Sequence, residues 1–126
     1  MMCELLKLSA TDFEASVQLH QLGFVPLAYY HMQQAVEKLF KALYDSLNMS
    51  YKRNHKIEYL VNLWPADYPT LDRFWTLNAE TITEWEVSTK YSYFEVLDSD
   101  EELWYSLFFK YSELYKFIDF KINNVQ

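Results

Sequence analysis

The fold is decided by residues 28–43, which read Ala28-Tyr29-Tyr30-His31-Met32-Gln33-Gln34-Ala35-Val36-Glu37-Lys38-Leu39-Phe40-Lys41-Ala42-Leu43. Ala28, Ala35 and Ala42 recur every seven residues, flanked by Met32, Val36, Leu39, Phe40 and Leu43. That spacing puts a stripe of small residues between larger apolar ones on one side of an α-helix, and the small row lets a second helix approach closely. Pro26 suits the first turn, where its missing N–H costs nothing, so the helix is predicted from about Pro26 to Leu47. Glu37 precedes Lys41 by four residues, the favourable order for a surface pair.

Working outward, the preceding segment is helical up to Leu22, where Gly23 supplies the left-handed residue that ends a helix. Its start has two readings: a capping box at Thr11-x-x-Glu14, or an upstream start that adds Leu5, Leu6 and Leu8 to the same face. Downstream, a short helix is predicted over 54–64, with Ile57, Leu60, Val61 and Trp64, stopped by Pro65. Another runs over 69–87 through Leu71, Phe74, Trp75, Leu77, Ile82 and Trp85. The last opens with the capping box Ser99-x-x-Glu102 and carries Leu103, Trp104, Leu107, Phe108, Tyr111, Leu114, Ile118 and Ile122. Tyr105, Phe109 and Phe117 widen that stripe beyond one core face, so this helix is either deeply buried or meets a second subunit. The short apolar run in Lys90-Tyr91-Ser92-Tyr93-Phe94-Glu95-Val96 has no second strand to pair with, and the segment reads as an ordered loop.

The prediction is therefore all-α: a single up-and-down bundle of four to five helices over residues 1–126. Composition agrees. One Gly and three Pro cannot build sandwiches, Rossmann units or phosphate loops, and 19% aromatics with 51% apolar residues can fill a core. Cys3, the sole cysteine, excludes a disulfide framework and a cysteine-rich zinc site. With no apolar run of about 18 residues and no leader-like segment, a cytoplasmic protein without a membrane anchor is expected.

Net charge is −7, which disfavours broad nucleic-acid affinity, but the charge is uneven. Residues 38–56 hold Lys38, Lys41, Lys52, Arg53 and Lys56 against Asp45 alone, an island of +4 between flanks of −3 and −8. The island is either a solvated helix end and loop or a patch that receives an anion.

Catalytic signatures are missing. The residues three before His20, His31 and His55 are Val17, Ala28 and Lys52, so the Glu-x-x-His pairs of bundle metal sites are absent. There is no His-Glu-x-x-His, Gly-x-Ser-x-Gly or Gly-rich phosphate loop, and no metal or cofactor is expected.

The core of the second helix, Gln33-Gln34-Ala35-x-Glu37-Lys38-x-x-Lys41-Ala42, resembles the signature of HEPN domains (higher eukaryotes and prokaryotes nucleotide-binding). Asn54-His55-Lys56-Ile57-x-x-Leu60 is similar to that family's Thr-His-Asp-Leu-x-x-Leu, and Lys90-Tyr91 sits where many members carry Arg-Tyr-Pro. The resemblance implies a four- or five-helix bundle, often homodimeric, working beside a minimal nucleotidyltransferase. Some members are ribonuclease toxins that use Arg, four to six residues, then His. From Arg53 that His would fall at Glu58, Tyr59 or Leu60, from Arg73 at Asn78, Ala79 or Glu80, and no His follows residue 55. No catalytic residue is therefore assigned, since cleavage would lack its imidazole.

Candidate ligand-binding residues follow. Gln34, Lys38 and Lys41 share one helix face with Tyr30 one turn before, either a solvated face or the polar wall of a cleft. His55, directly after Lys52 and Arg53, opens the short helix as a local cap or a ligand contact. Lys90 and Tyr91 could close such a pocket as cation and stacking ring. His31 reads as a satisfied core or interface residue, and His20 as a surface one. Three functions compete: a non-catalytic module binding a nucleotide-like or anionic ligand and assisting a nucleotidyltransferase, a divergent ribonuclease using His55 or His31 with Arg53, and a structural dimer or protein-interaction module.

Overall fold

The computed structural model describes residues 4–53, 56–90 (87–90 as backbone) and 96–124. They form α1 (Glu4–Gln21), α2 (Val25–Ser46), α3 (Ile57–Val61), α4 (Arg73–Lys90) and α5 (Asp98–Asn123), an all-α bundle as expected. The upstream start of α1 is the one adopted: Thr11 sits mid-helix and its hydroxyl donates to the Lys7 carbonyl at 3.1 Å, so it caps nothing. Gly23 closes the α1–α2 turn at φ 87°, and Pro26 lies in the first turn of α2.

Three expected boundaries move. α3 is only five residues long. Tyr59 and Trp64 are drawn into loop contacts on either side, where the Tyr59 hydroxyl accepts from the Lys52 N–H and the Trp64 indole donates to the Pro69 carbonyl. α4 starts after Asp72, whose carboxylate accepts from the Phe74 N–H at 2.9 Å and so serves as its N-cap. α5 begins at Asp98, ahead of Ser99, and the Leu97 N–H reaches back to the Asp100 carboxylate at 3.4 Å.

Side-chain pairings fix the topology. Ser9 donates to the Ala35 carbonyl at 2.6 Å and meets the Tyr111 hydroxyl at 2.8 Å. Seven residues on, Ser16 donates to the Ala28 carbonyl at 2.5 Å and accepts from the Trp104 indole N–H at 3.0 Å. The two rungs run α1 antiparallel to both α2 and α5. They use the small Ala row of α2 as the surface on which α1 lies, the most extensive helix interface in the molecule. Tyr29 against Trp85 and Phe40 against Trp75 set α4 antiparallel to α2, completing an up-down-up-down arrangement with α3 as a side helix.

The core holds Leu6, Met32, Val36, Leu39, Phe40, Leu43, Ile57, Leu60, Ile82, Leu107 and Ile118 around three buried indoles, Trp75, Trp85 and Trp104. Each such side chain contributes about 1.5–3 kcal/mol of burial, which lets a 126-residue chain afford the polar rungs inside.

Candidate functional site

The expected ligand face of α2 splits in two. Lys38 turns toward α1 and donates to Asp12 Oδ2, while His31 Nδ1 lies 2.9 Å from Asp12 Oδ1. One carboxylate on α1 therefore holds both side chains. Lys41 turns the other way, donating to Glu37 Oε2 at 2.8 Å. Glu37 is buried, so the predicted surface pair exists but one of its members lies in the interior. A chain of hydrogen bonds continues along α2, with Gln33 Nε2 donating to Glu37 Oε1 at 3.1 Å and Gln34 Nε2 to Gln33 Oε1 at 2.7 Å. Tyr30 is half-buried, edge-on to His31 with ring centroids 5.3 Å apart.

Both lysines from the helical part of the positive island are thus matched by carboxylates. Lys52 and Arg53 are exposed in the loop before α3, and among the described residues they form no ion pair. Tyr51 ties this loop to Asp45 at 2.7 Å. His31 lies fourteen residues before Asp45 on α2, so the helix rise alone puts roughly 20 Å between it and that loop. His55 and Tyr91 lie outside the described residues, and Lys90 is described only as the backbone end of α4.

The clefts among the described residues lie elsewhere. One of about 160 Å³ is walled by Trp64, Leu71, Trp75 and Phe117 and rimmed by Asp72 and Lys110, and none of Tyr30, Gln34, Lys38, Lys41 and Arg53 lines it. The Lys110 ammonium, 2.6 Å from Asp72, holds that carboxyl below the usual carboxylate range, helped by the Phe74 N–H. Two further grooves follow α5, one along Tyr105, Phe108 and Phe109, the other between Phe13 of α1 and Tyr111.

These grooves belong to an aromatic surface. Tyr105, Phe109 and Phe120 are 53%, 76% and 62% exposed. Their spacing of four and eleven residues puts all three on one outward stripe of α5. Phe117, expected on that stripe, instead packs on Trp64 and Tyr68 with centroids 5.7 and 5.6 Å away. Phe120 takes its place. Below the stripe, Phe108 meets Phe13 edge-on at 5.9 Å and Phe13 stacks on Tyr111 at 4.3 Å, so the surface rests on a rigid aromatic layer.

His20 corrects the surface reading. Its ring stacks on Trp104 at 3.8 Å, and Nε2 lies 2.9 Å from Glu101 Oε1, which also accepts from the Tyr29 hydroxyl. Burial pushes the Glu101 carboxyl up, but the bonds from Tyr29 and His20 outweigh it and hold it below the ordinary carboxylate range. Burial first, then the Glu101 carboxylate, drives the Tyr29 phenol far above its ordinary value. Sequence reasoning treated His20 and Glu101 separately, because 81 residues part them. The matching seven-residue steps Ser9/Ser16 and Trp104/Tyr111 are the signal that aligns α1 with α5 and brings them together.

Among the described residues no three His, Cys, Asp or Glu side chains converge as a metal site, and no helix is long and apolar enough to cross a membrane. A family model for the HEPN domain matches residues 2–119, nearly the whole chain, and the protein belongs to the HEPN family. No curated protein and no solved structure matches it significantly.

Proposed function

We propose that this HEPN protein is a non-catalytic accessory module that works by protein contacts through its α1–α5 face, with a minimal nucleotidyltransferase as its natural partner. HEPN proteins are nucleotide-binding or ribonuclease modules. The observation that carries the choice is the contrast between the two faces. The lysines on α2 are already neutralised by Asp12 and Glu37, whereas Phe109 and its neighbours on α5 stand in water. An aromatic stripe on a rigid layer is costly to leave exposed and well suited to a partner. The absent Arg/His pattern argues against ribonuclease chemistry, and so does the separation of His31 from the loop that holds Arg53.

The test is co-purification and sedimentation with a nucleotidyltransferase encoded beside this chain. A stable complex that is lost in Phe109→Glu is the expected result. A complex indifferent to that change, or no complex, would refute the reading.

Nucleotide binding keeps one supporting observation, the exposed Lys52 and Arg53, which form no ion pair among the described residues and stand beside His55 in sequence. Calorimetric titration with nucleoside triphosphates, repeated in Arg53→Ala and His55→Ala, measures it directly. Growth arrest on expression, abolished by His55→Ala, would instead support a ribonuclease.

A further inference from the structure

We propose that the cleft between α5 and the 64–72 segment binds a small amine, an ammonium group carried by a short chain on one aromatic ring. Its walls come from three parts of the chain: Trp64 and Leu71 from that segment, Trp75 from the first turn of α4, and Leu114 and Phe117 from α5. Trp75 and Leu114 are 2% and 6% exposed and form its floor. At about 160 Å³ the hollow has room for one six-membered ring, since an apolar cavity of about 150 Å³ accommodates benzene.

The hollow is preformed. The Trp64 indole N–H donates to the Pro69 carbonyl at 3.0 Å. Phe40 meets both indoles edge-on, Trp64 at 6.3 Å and Trp75 at 5.7 Å, and Phe117 packs on Trp64 at 5.7 Å. A ring entering the cleft therefore meets aromatic walls that are already fixed, and little further ordering is needed.

The mouth selects the charge. It is rimmed by Asp72, Lys110 and Glu113, two carboxylates against one ammonium, a net charge of −1. The Lys110 ammonium is already matched, lying 2.6 Å from Asp72 and 5.7 Å from the centre of the Phe74 ring. Glu113 is 69% exposed and 3.9 Å from Lys110, beyond hydrogen-bonding distance, so its carboxylate keeps its capacity to accept. An entering ammonium gains these carboxylates and the attraction of indole faces for a cation. An anion of the same shape meets both carboxylates while its one cationic partner is taken. A phosphate is disfavoured for the same reason, which separates this cleft from any nucleotide site, and Phe109 does not line it.

The test is a titration of the full-length protein with phenethylamine, followed through the indole N–H signals of its four tryptophans in proton–nitrogen correlation spectra, each assigned by substitution. Trp64 and Trp75 should shift and saturate, while Trp85 and Trp104, whose indoles bond to Asp100 and Ser16, should stay in place. With about nine non-hydrogen atoms, the amine is expected to bind with a Kd of roughly 1 mM or tighter. The carboxylate of matching shape, 3-phenylpropanoate, should bind about tenfold more weakly. Asp72→Asn with Glu113→Gln turns the rim from −1 to +1, keeps a capping oxygen on α4 and alters only exposed side chains. In that variant, checked for folding by circular dichroism, the order of the two ligands should reverse. Three results overturn the proposal: amine titration that leaves Trp64 and Trp75 unmoved or shifts all four indoles alike, a carboxylate that binds the wild type as well as the amine does, or an amine preference that survives the double substitution.

Discussion

Replacing Ser16 by alanine removes one rung that ties three helices. Ser16 is fully buried, and its hydroxyl is the hydrogen-bond partner of the Trp104 indole N–H, itself only 1% exposed. The substitution leaves that N–H without an acceptor in the core, at a cost of about 1–3 kcal/mol. Alanine is the better helix former and returns about 0.5 kcal/mol, so the net destabilisation is about 1.5 kcal/mol. At about 2.1 cal/mol/K per residue, a chain of this size loses roughly 6 °C in Tm. Scanning calorimetry and urea unfolding measure both quantities. The decisive assay is the cycle with Trp104→Phe, which removes the orphaned donor. Once phenylalanine stands at 104, Ser16→Ala should cost about 1–2 kcal/mol less than it does in the wild type. Additive effects, within about 0.3 kcal/mol, would refute the claim that the hydroxyl serves the indole.

Glu101 has a depressed carboxyl in the folded state, so its contribution to stability is complete above the unfolded carboxylate value and is lost as pH falls through the folded one. The stability gap between wild type and Glu101→Gln should therefore be constant near neutrality and close on acidification below about pH 4.5, as urea midpoints across pH will show. Asp72→Ala removes the α4 N-cap and should cost about 1 kcal/mol, while Asp72→Asn, which keeps a capping oxygen, should cost less than half of that in the same urea assay. Lys38→Met should leave calorimetric titration with nucleoside triphosphates unchanged, because Asp12 already occupies its ammonium. A loss of binding there would return the ligand site to α2.

The four long helices were legible because each has its own apolar period, and the Ala28/Ala35/Ala42 row foretold the close approach of another helix, which the structure shows to be α1. What stayed hidden was long-range pairing. Nothing local to Lys38 says that its charge is matched 26 residues upstream at Asp12, so the helical part of a positive island in sequence is neutralised in space. His20 reads as a surface residue in isolation because its partners Trp104 and Glu101 come from the other end of the chain. Phe117 and Phe120 differ by less than one turn, and only the position of the 64–72 segment decides which is covered. Boundaries moved where side chains competed for loops, as at Asp72 and Leu97.

The two serine rungs also act as a vernier. A single rung would tolerate sliding α1 along its neighbours until the hydroxyl found the next carbonyl. With two rungs one heptad apart, any smaller slip parts Ser9 from Tyr111 and Ser16 from Trp104 at once, and a full seven-residue slip still leaves one of these pairs broken. The lateral setting of α5, and with it the height at which Phe109 stands above the bundle, is thereby locked by two small hydroxyls on the far helix.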